Sequence, residues 1–254
     1  MKNLLSIILL VLLTSIILYI GLMQNEKNKI LIDAITIYGN DHLSKDDYMR
    51  FANLIDKNSY RNLSLRIIKD RIEKHPYVDY ADVKYEGSGK VTIRIYEKNF
   101  SSILIDNQNQ FILTEDMELL PFLPNTKNVD YPIISNIVKK DSLRVLKSLK
   151  KNYDVLTASK ILSGIKFLNQ ELYNELSQID MNQGADIMLY FSSLDYPVLI
   201  GRGNEIKKIV YFNNLWNYLK GKEINNYMNY IDLRYNEHIY FGIQDSLQAG
   251  EKKL

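Results

Sequence analysis

From Leu4 to Met23 the chain reads LLSIILLVLLTSIILYIGLM, twenty consecutive residues without a formal charge. At 1.5 Å per residue a helix of that length reaches about 30 Å, the thickness of the hydrocarbon core of a bilayer. The run predicts a single N-terminal transmembrane helix over residues 4–23, with residues 1–3 as a cytoplasmic tip and 24–29 as a linker. A cleaved signal peptide is the competing reading. Its apolar stretch should be about 7–15 residues and end in an A-x-A-like site, and this run meets neither condition. Lys2 and the amino terminus precede the run while Glu26, Lys27 and Lys29 follow it, a small asymmetry that points to the amino terminus inside. No second apolar run approaches spanning length, so everything from about Asn25 onward is expected in one aqueous compartment outside the cytoplasm.

The 254 residues leave room for one large domain or two small ones. With 46% hydrophobic and 24% charged residues, the composition is that of a folded chain. Lys and Arg number 32 against 30 Asp and Glu, and a net charge of +2 is too small for a dedicated nucleic-acid binder. The absence of cysteine excludes disulfides, thiolate catalysis and Cys-ligated metal sites.

The segment after the apolar run has a definite order. Ile30, Ile32, Ile35 and Ile37 alternate with small or polar residues up to Gly39-Asn40-Asp41, a strand ending in a turn. Ser44, with Asp47 three residues on, opens a helix that places Tyr48, Phe51, Ala52 and Ile55 on one face. Leu63, Ile67, Ile68, Ile72 and His75 mark a second helix, stopped by Pro76. Val78–Tyr85 and Lys90–Tyr96 read as strands joined by Glu86-Gly87-Ser88-Gly89. The order is β-α-α-β-β. Ile37-Tyr38-Gly39-Asn40, Leu43-Ser44, His75-Pro76-Tyr77-Val78, Ala81-Asp82-Val83 and the strand ending in Tyr96-Glu97 together resemble a POTRA domain, which the reading bounds at residues 30–98. The proline that the pattern expects after the glutamate is replaced by Lys98-Asn99-Phe100.

Downstream, Ile103–Asp106 and Gln110–Leu113 predict a hairpin, and the prolines of Leu120-Pro121 and Tyr131-Pro132-Ile133-Ile134 confine those stretches to edges or loops. Leu143, Leu146 and Leu149 predict one amphipathic helix, and Ala158, Ile161, Leu162, Ile165 and Leu168 a second. Ile179–Met181, Ile187–Phe191 and Pro197–Ile200 read as strands. Glu205–Leu219 reads as a helix with Ile206, Ile209, Phe212, Trp216 and Leu219 inward. The chain closes with Tyr230–Tyr235 and Ile239–Ile243, before a polar stretch over residues 244–254 read as a flexible tail. That ending, with Leu199-Ile200-Gly201 turning into a helix, resembles the FtsQ/DivIB cell-division proteins along nearly the whole chain.

The resemblance implies an α+β protein: one transmembrane helix, a POTRA domain, and a mixed β domain with helices over residues 99–243. It implies a non-enzymatic bitopic divisome scaffold in the bacterial cytoplasmic (inner) membrane at the division septum, with its C-terminal domain extracytoplasmic. It also implies FtsB/FtsL-type bitopic partners, recruited by strand addition at the last β-strand. The positions matching that contact region are Tyr235, Glu237 and Ile243, and the alternation of a strand adds Ile239 and Phe241. The other reading of the same domain is a POTRA-containing binding module of outer-membrane assembly or secretion, but the chain has no room for the barrel that usually follows.

No residue is assigned to catalysis, a metal or a cofactor, and neither nucleic acid nor a small-molecule substrate is expected. His42, His75 and His238 lack metal-ligand spacing. Asp46-Asp47 suits a helix start, and Glu115-Asp116-Glu118 suits a solvated loop. Gly201-Arg202-Gly203 sits between a strand and a helix but lacks the GK[ST] ending of a phosphate loop. Asp232 and Arg234 share one sheet face, where an ion pair is the simplest outcome.

Overall fold

The structure, a computed structural model, describes residues 10–19, 31–139, 142–235 and 238–243. Residues 10–19 form a helix (α1) with its apolar side chains exposed. No helix among the described residues is long and apolar enough to cross a membrane. The rest of the Leu4–Met23 run lies outside the described residues. The chain divides into two compact units, Met1–Asn40 with Ser44–Tyr96, and Asp41–Leu43 with Glu97–Leu254.

The first unit contains β1 (Ala34–Tyr38), α2 (Lys45–Phe51), α3 (Lys57–Tyr60), α4 (Leu65–Glu73), β2 (Val78–Gly87) and β3 (Lys90–Glu97). Its sheet has the order β1-β3-β2, with β1 parallel to β3. The alternation expected for β3 is present, Val91, Ile93 and Ile95 all being buried. Ser44 caps α2 by accepting from the Asp47 amide at 3.2 Å, while the Asp47 carboxylate accepts from the Ser44 amide at 3.3 Å. Helix α4 ends at Glu73, three residues before Pro76, and Ile68 and Ile72 point into the core.

Three expected inward residues are exposed instead: Phe51, Ile55 and Ile67. Helix α2 stops at Phe51 and Asn53 turns to a positive φ of 53°, so the 3.6-residue period carries no meaning at Ile55. The Phe51 ring meets the edge of His75 at 4.7 Å, which shields only one of its faces.

The second unit holds β4 (Phe100–Asp106), β5 (Asn109–Thr114), β6 (Glu118–Pro121), β7 (Ile133–Ser135), β8 (Lys147–Ser148), α5 (Tyr153–Leu168), α6 (Gln170–Glu175), β9 (Leu176–Asp180), β10 (Met188–Phe191), β11 (Val198–Leu199), α7 (Glu205–Leu219), β12 (Met228–Asp232) and β13 (Tyr240–Ile243). One ten-stranded sheet runs β13-β12-β11-β10-β9-β7-β4-β5-β6-β8. Helices α5 and α7 bury Ile161, Ile165, Phe212 and Trp216 in one apolar cluster with Leu104, Ile179, Leu189 and Ile231 of the strands.

Four segments of this unit depart from the sequence pattern. Leu143, Leu146 and Leu149 are not on a helix. Leu146 takes a φ of +60°, its amide donates to the Leu119 carbonyl at 2.6 Å, and β8 pairs with β6. The three leucines flank a polar two-residue edge strand, Lys147–Ser148, with Leu143 and Leu149 half-buried and Leu146 exposed. Proline did not confine Ile133-Ile134 to an edge, since β7 lies between β9 and β4, parallel to both. Pro132 stands just before the strand and supplies only its carbonyl, to the Ile103 amide at 3.0 Å. Pro121 likewise closes β6, which is flanked by β5 and β8. Ile206 was expected inward on α7 but is exposed, the end of its side chain lying over Gly164 of α5.

Candidate partner-binding edge

Strand β12 buries Met228 and Ile231, and it docks parallel to β11 through Val198↔Ile231 and Leu199↔Asp232. Strand β13 then returns antiparallel, with Asp232↔Tyr240, Ile231↔Phe241 and Tyr230↔Gly242 opposed. Among the described residues β13 has β12 on one side and no strand on the other. Among the described residues, then, no strand pairs with its outer row of N–H and C=O groups, the kind of row that a further strand can join.

Gly242 is the residue that lets the return strand close. A Cβ there would stand 2.3 Å from Cε1 of Tyr230, because the tyrosine ring lies across the glycine on the neighbouring strand. The base of the edge is fixed by charge. Nη2 of Arg234 donates to Oδ2 of Asp232 at 2.6 Å, Nε donates to Oδ1 at 2.9 Å, and Nη1 reaches Oδ2 of Asp186 at 2.6 Å. The Arg234 hydrogen bonds hold the buried Asp232 carboxyl below the usual carboxylate range and raise the guanidinium in turn. Arg234 also packs its stem over Gly201, whose φ of +60° and missing Cβ make the room. Lys208, buried in α7, donates to the Ile200 carbonyl at 2.7 Å. The same-face Asp232–Arg234 pair is present as expected, while Asp186 and Lys208 gave no sequence signal because their partners are distant in the chain.

Two grooves separate α7 from the edge. One, of about 530 Å³, is bordered by Lys207, Tyr211 and Leu215 of α7 and by Leu233, Tyr235 and Ile239. The other, of about 660 Å³, is bordered by Leu215, Tyr218, Met228, Phe241 and Ile243. Tyr235, Ile239, Phe241 and Ile243 thus all border space beside α7, with exposures of 55%, 37%, 42% and 61%. The Tyr235 ring meets Tyr240 edge-on at 5.2 Å. Glu237 lies outside the described residues.

Elsewhere, the groups that could imitate a catalytic site are tied to the fold. Arg202 donates to Asp154 at 2.8 Å and to the Ala185 and Met181 carbonyls at 2.7 and 3.0 Å, which makes Gly201-Arg202-Gly203 a buttressed turn. Glu115, Asp116 and Glu118 face three different lysines, Lys166, Lys150 and Lys98, so they do not converge on one point. No group of three or more His, Asp or Glu able to hold a metal occurs among the described residues.

Comparison with known proteins gives three kinds of likeness. Residues 31–98 match the model of the POTRA domain, FtsQ-type. The chain is 22% identical over 201 residues to the cell division protein FtsQ of Geotalea daltonii, covering 78% of this chain and 70% of that protein. It is 24% identical over 176 residues to the FtsQ of Koribacter versatilis, covering 68% of this chain and about half, 49%, of that protein. The major extracytoplasmic domain of DivIB from Geobacillus stearothermophilus aligns with 49% of this chain and 96% of its own, at 16% identity and a TM-score of 0.31.

Proposed function

Because the chain is an FtsQ/DivIB-type protein, we propose that it serves cell division as a non-enzymatic scaffold, holding partners to the division site through its extracytoplasmic units. In this reading residues 4–23 anchor it once in the cytoplasmic membrane with the amino terminus inside, and FtsB/FtsL-type single-span proteins are the partners. The partner adds a strand to β13, and Tyr235, Glu237, Ile239, Phe241 and Ile243 supply the side-chain contacts.

The observation that carries this reading is the outer edge of β13, the terminal strand of a ten-stranded sheet, which no strand pairs with among the described residues and which has apolar side chains beside it. Strand addition draws affinity from main-chain hydrogen bonds and specificity from alternate side chains, and this edge offers both. A photo-crosslinker at Ile243 in the full-length protein, in its native membrane, is expected to capture small single-span coiled-coil proteins. Capture of outer-membrane proteins, or no capture at Ile243 and Glu237 alike, would count against it.

A further inference from the structure

The large sheet has a second terminal strand, β8, at the end away from β13. It lies in a segment, residues 142–153, that carries Arg144, Lys147, Lys150 and Lys151 and no acid. The segment is fastened on both sides of a turn. Leu143 and Leu149 pack against the apolar cluster, the Leu146 amide donates to the Leu119 carbonyl at 2.6 Å, and the Leu149 amide donates to the Met117 carbonyl at 2.7 Å. Between Leu143 and Leu149 the chain turns at residues 145–146, and Arg144, Val145, Leu146 and Lys147 are all exposed, the two aliphatic side chains at 43% and 47%.

Lys147 by itself is accounted for as the lysine that keeps an edge strand from pairing with other chains. That role needs no exposed aliphatic neighbours, yet Leu146 is held at a φ of +60°, a left-handed conformation that leucine rarely adopts. The charges have no task within the fold either. Among the described residues Arg144, Lys147 and Lys151 form no ion pair, and Lys150 meets only the exposed Asp116, at 3.7 Å. Glu118, which stands opposite Ser148 in the β6–β8 pair, is held by Lys98, and Asp154 is held by Arg202. Tyr153 is exposed and borders the same groove as Lys151, an amphipathic ring of the kind found at headgroup depth.

We propose that this segment rests on an anionic phospholipid surface, with Val145 and Leu146 entering the boundary between headgroups and acyl chains and Arg144, Lys147 and Lys151 meeting the phosphates. Two adjacent aliphatic side chains at a turn, bracketed by cations, suit a soft interface where attraction to anionic lipid adds to buried apolar area. An acidic peptide strand would find only the two residues of β8 to pair with. The proposal rests on the reading of residues 4–23 as an anchor, which keeps this unit tethered to a bilayer.

The chain has no cysteine, so Val145→Cys gives a single attachment point for an environment-sensitive fluorophore. The labelled full-length protein is reconstituted in nanodiscs of phosphatidylcholine alone and of phosphatidylcholine mixed equally with phosphatidylglycerol. Emission is expected to shift to the blue in the anionic discs only, and to return as salt is raised. The triple variant Arg144→Gln, Lys147→Gln, Lys151→Gln should lose the shift and keep its unfolding midpoint, because the three side chains are exposed and unpaired. Equal emission in the two discs would overturn the proposal. So would an equal shift from the same fluorophore at Ser193, beyond the far end of β10, which would mean general adsorption. A larger shift given by poly-glutamate in phosphatidylcholine discs would also overturn it and assign the segment to an acidic polypeptide. Failure of the protein to stay with phosphatidylcholine discs would refute the anchor instead, and the same comparison is then made with vesicles of the two compositions added to the protein in solution.

Discussion

Arg234 holds a carboxylate that has nowhere else to turn. Asp232 is 3% exposed and accepts from the Arg234 backbone amide as well as the guanidinium. Removing the guanidinium by Arg234→Ala leaves a buried charge short of donors. That is expected to lower stability by about 1–2 kcal/mol in urea unfolding, the lower part of the range because Arg234 itself is partly open to water. The depressed Asp232 carboxyl contributes stability that is present above the unfolded value of about 4 and lost as the pH falls through its lower folded value. Asp232→Asn should therefore flatten the acid limb of stability against pH, and an unchanged limb would show that other carboxylates dominate it. Gly39 sets a second test at this scale. Its φ is +79° and a Cβ would stand 2.2 Å from the Ile95 carbonyl oxygen, so Gly39→Ala should cost the first unit about 2 kcal/mol, read from its unfolding midpoint.

Elements with repeating patterns were legible, and those decided by distant partners were not. Helix α7 runs from Glu205 to Leu219 as its periodicity predicts, and β3 alternates as read, because each buries a face set by nearest neighbours. The leucines at 143, 146 and 149 misled because a spacing of three also fits an irregular strand whose apolar groups flank a turn. Helices α3 and α6, of 4 and 6 residues, are too short to show a period at all. At the candidate site the pairing of Tyr230 over Gly242 was invisible, since register between strands is not written in either one. Strand β13 has only four residues, so one substitution weighs heavily on it. Tyr240→Pro removes an N–H and stiffens the backbone there, and it should reduce co-purification of the partner while the first unit keeps its unfolding midpoint; unchanged co-purification would rule against strand addition.

For the molecule as a whole, the proposed anchor makes a simple demand on mass. Protein extracted from membranes should carry an N-terminus at or near Met1 by intact-mass spectrometry, and a start near Gln24 would exclude a bitopic protein. The order of strands in the large sheet sets what a truncation removes. Strand β13 comes after the nine others in the chain and sits at the outer end of the sheet. A chain cut short before Tyr240 therefore keeps the nine other described strands of this sheet and lacks only the strand that the proposed partner would join. Under the proposed reading, one truncation before that strand separates two properties that a point substitution mixes, the folding of the sheet and the recruitment of a partner.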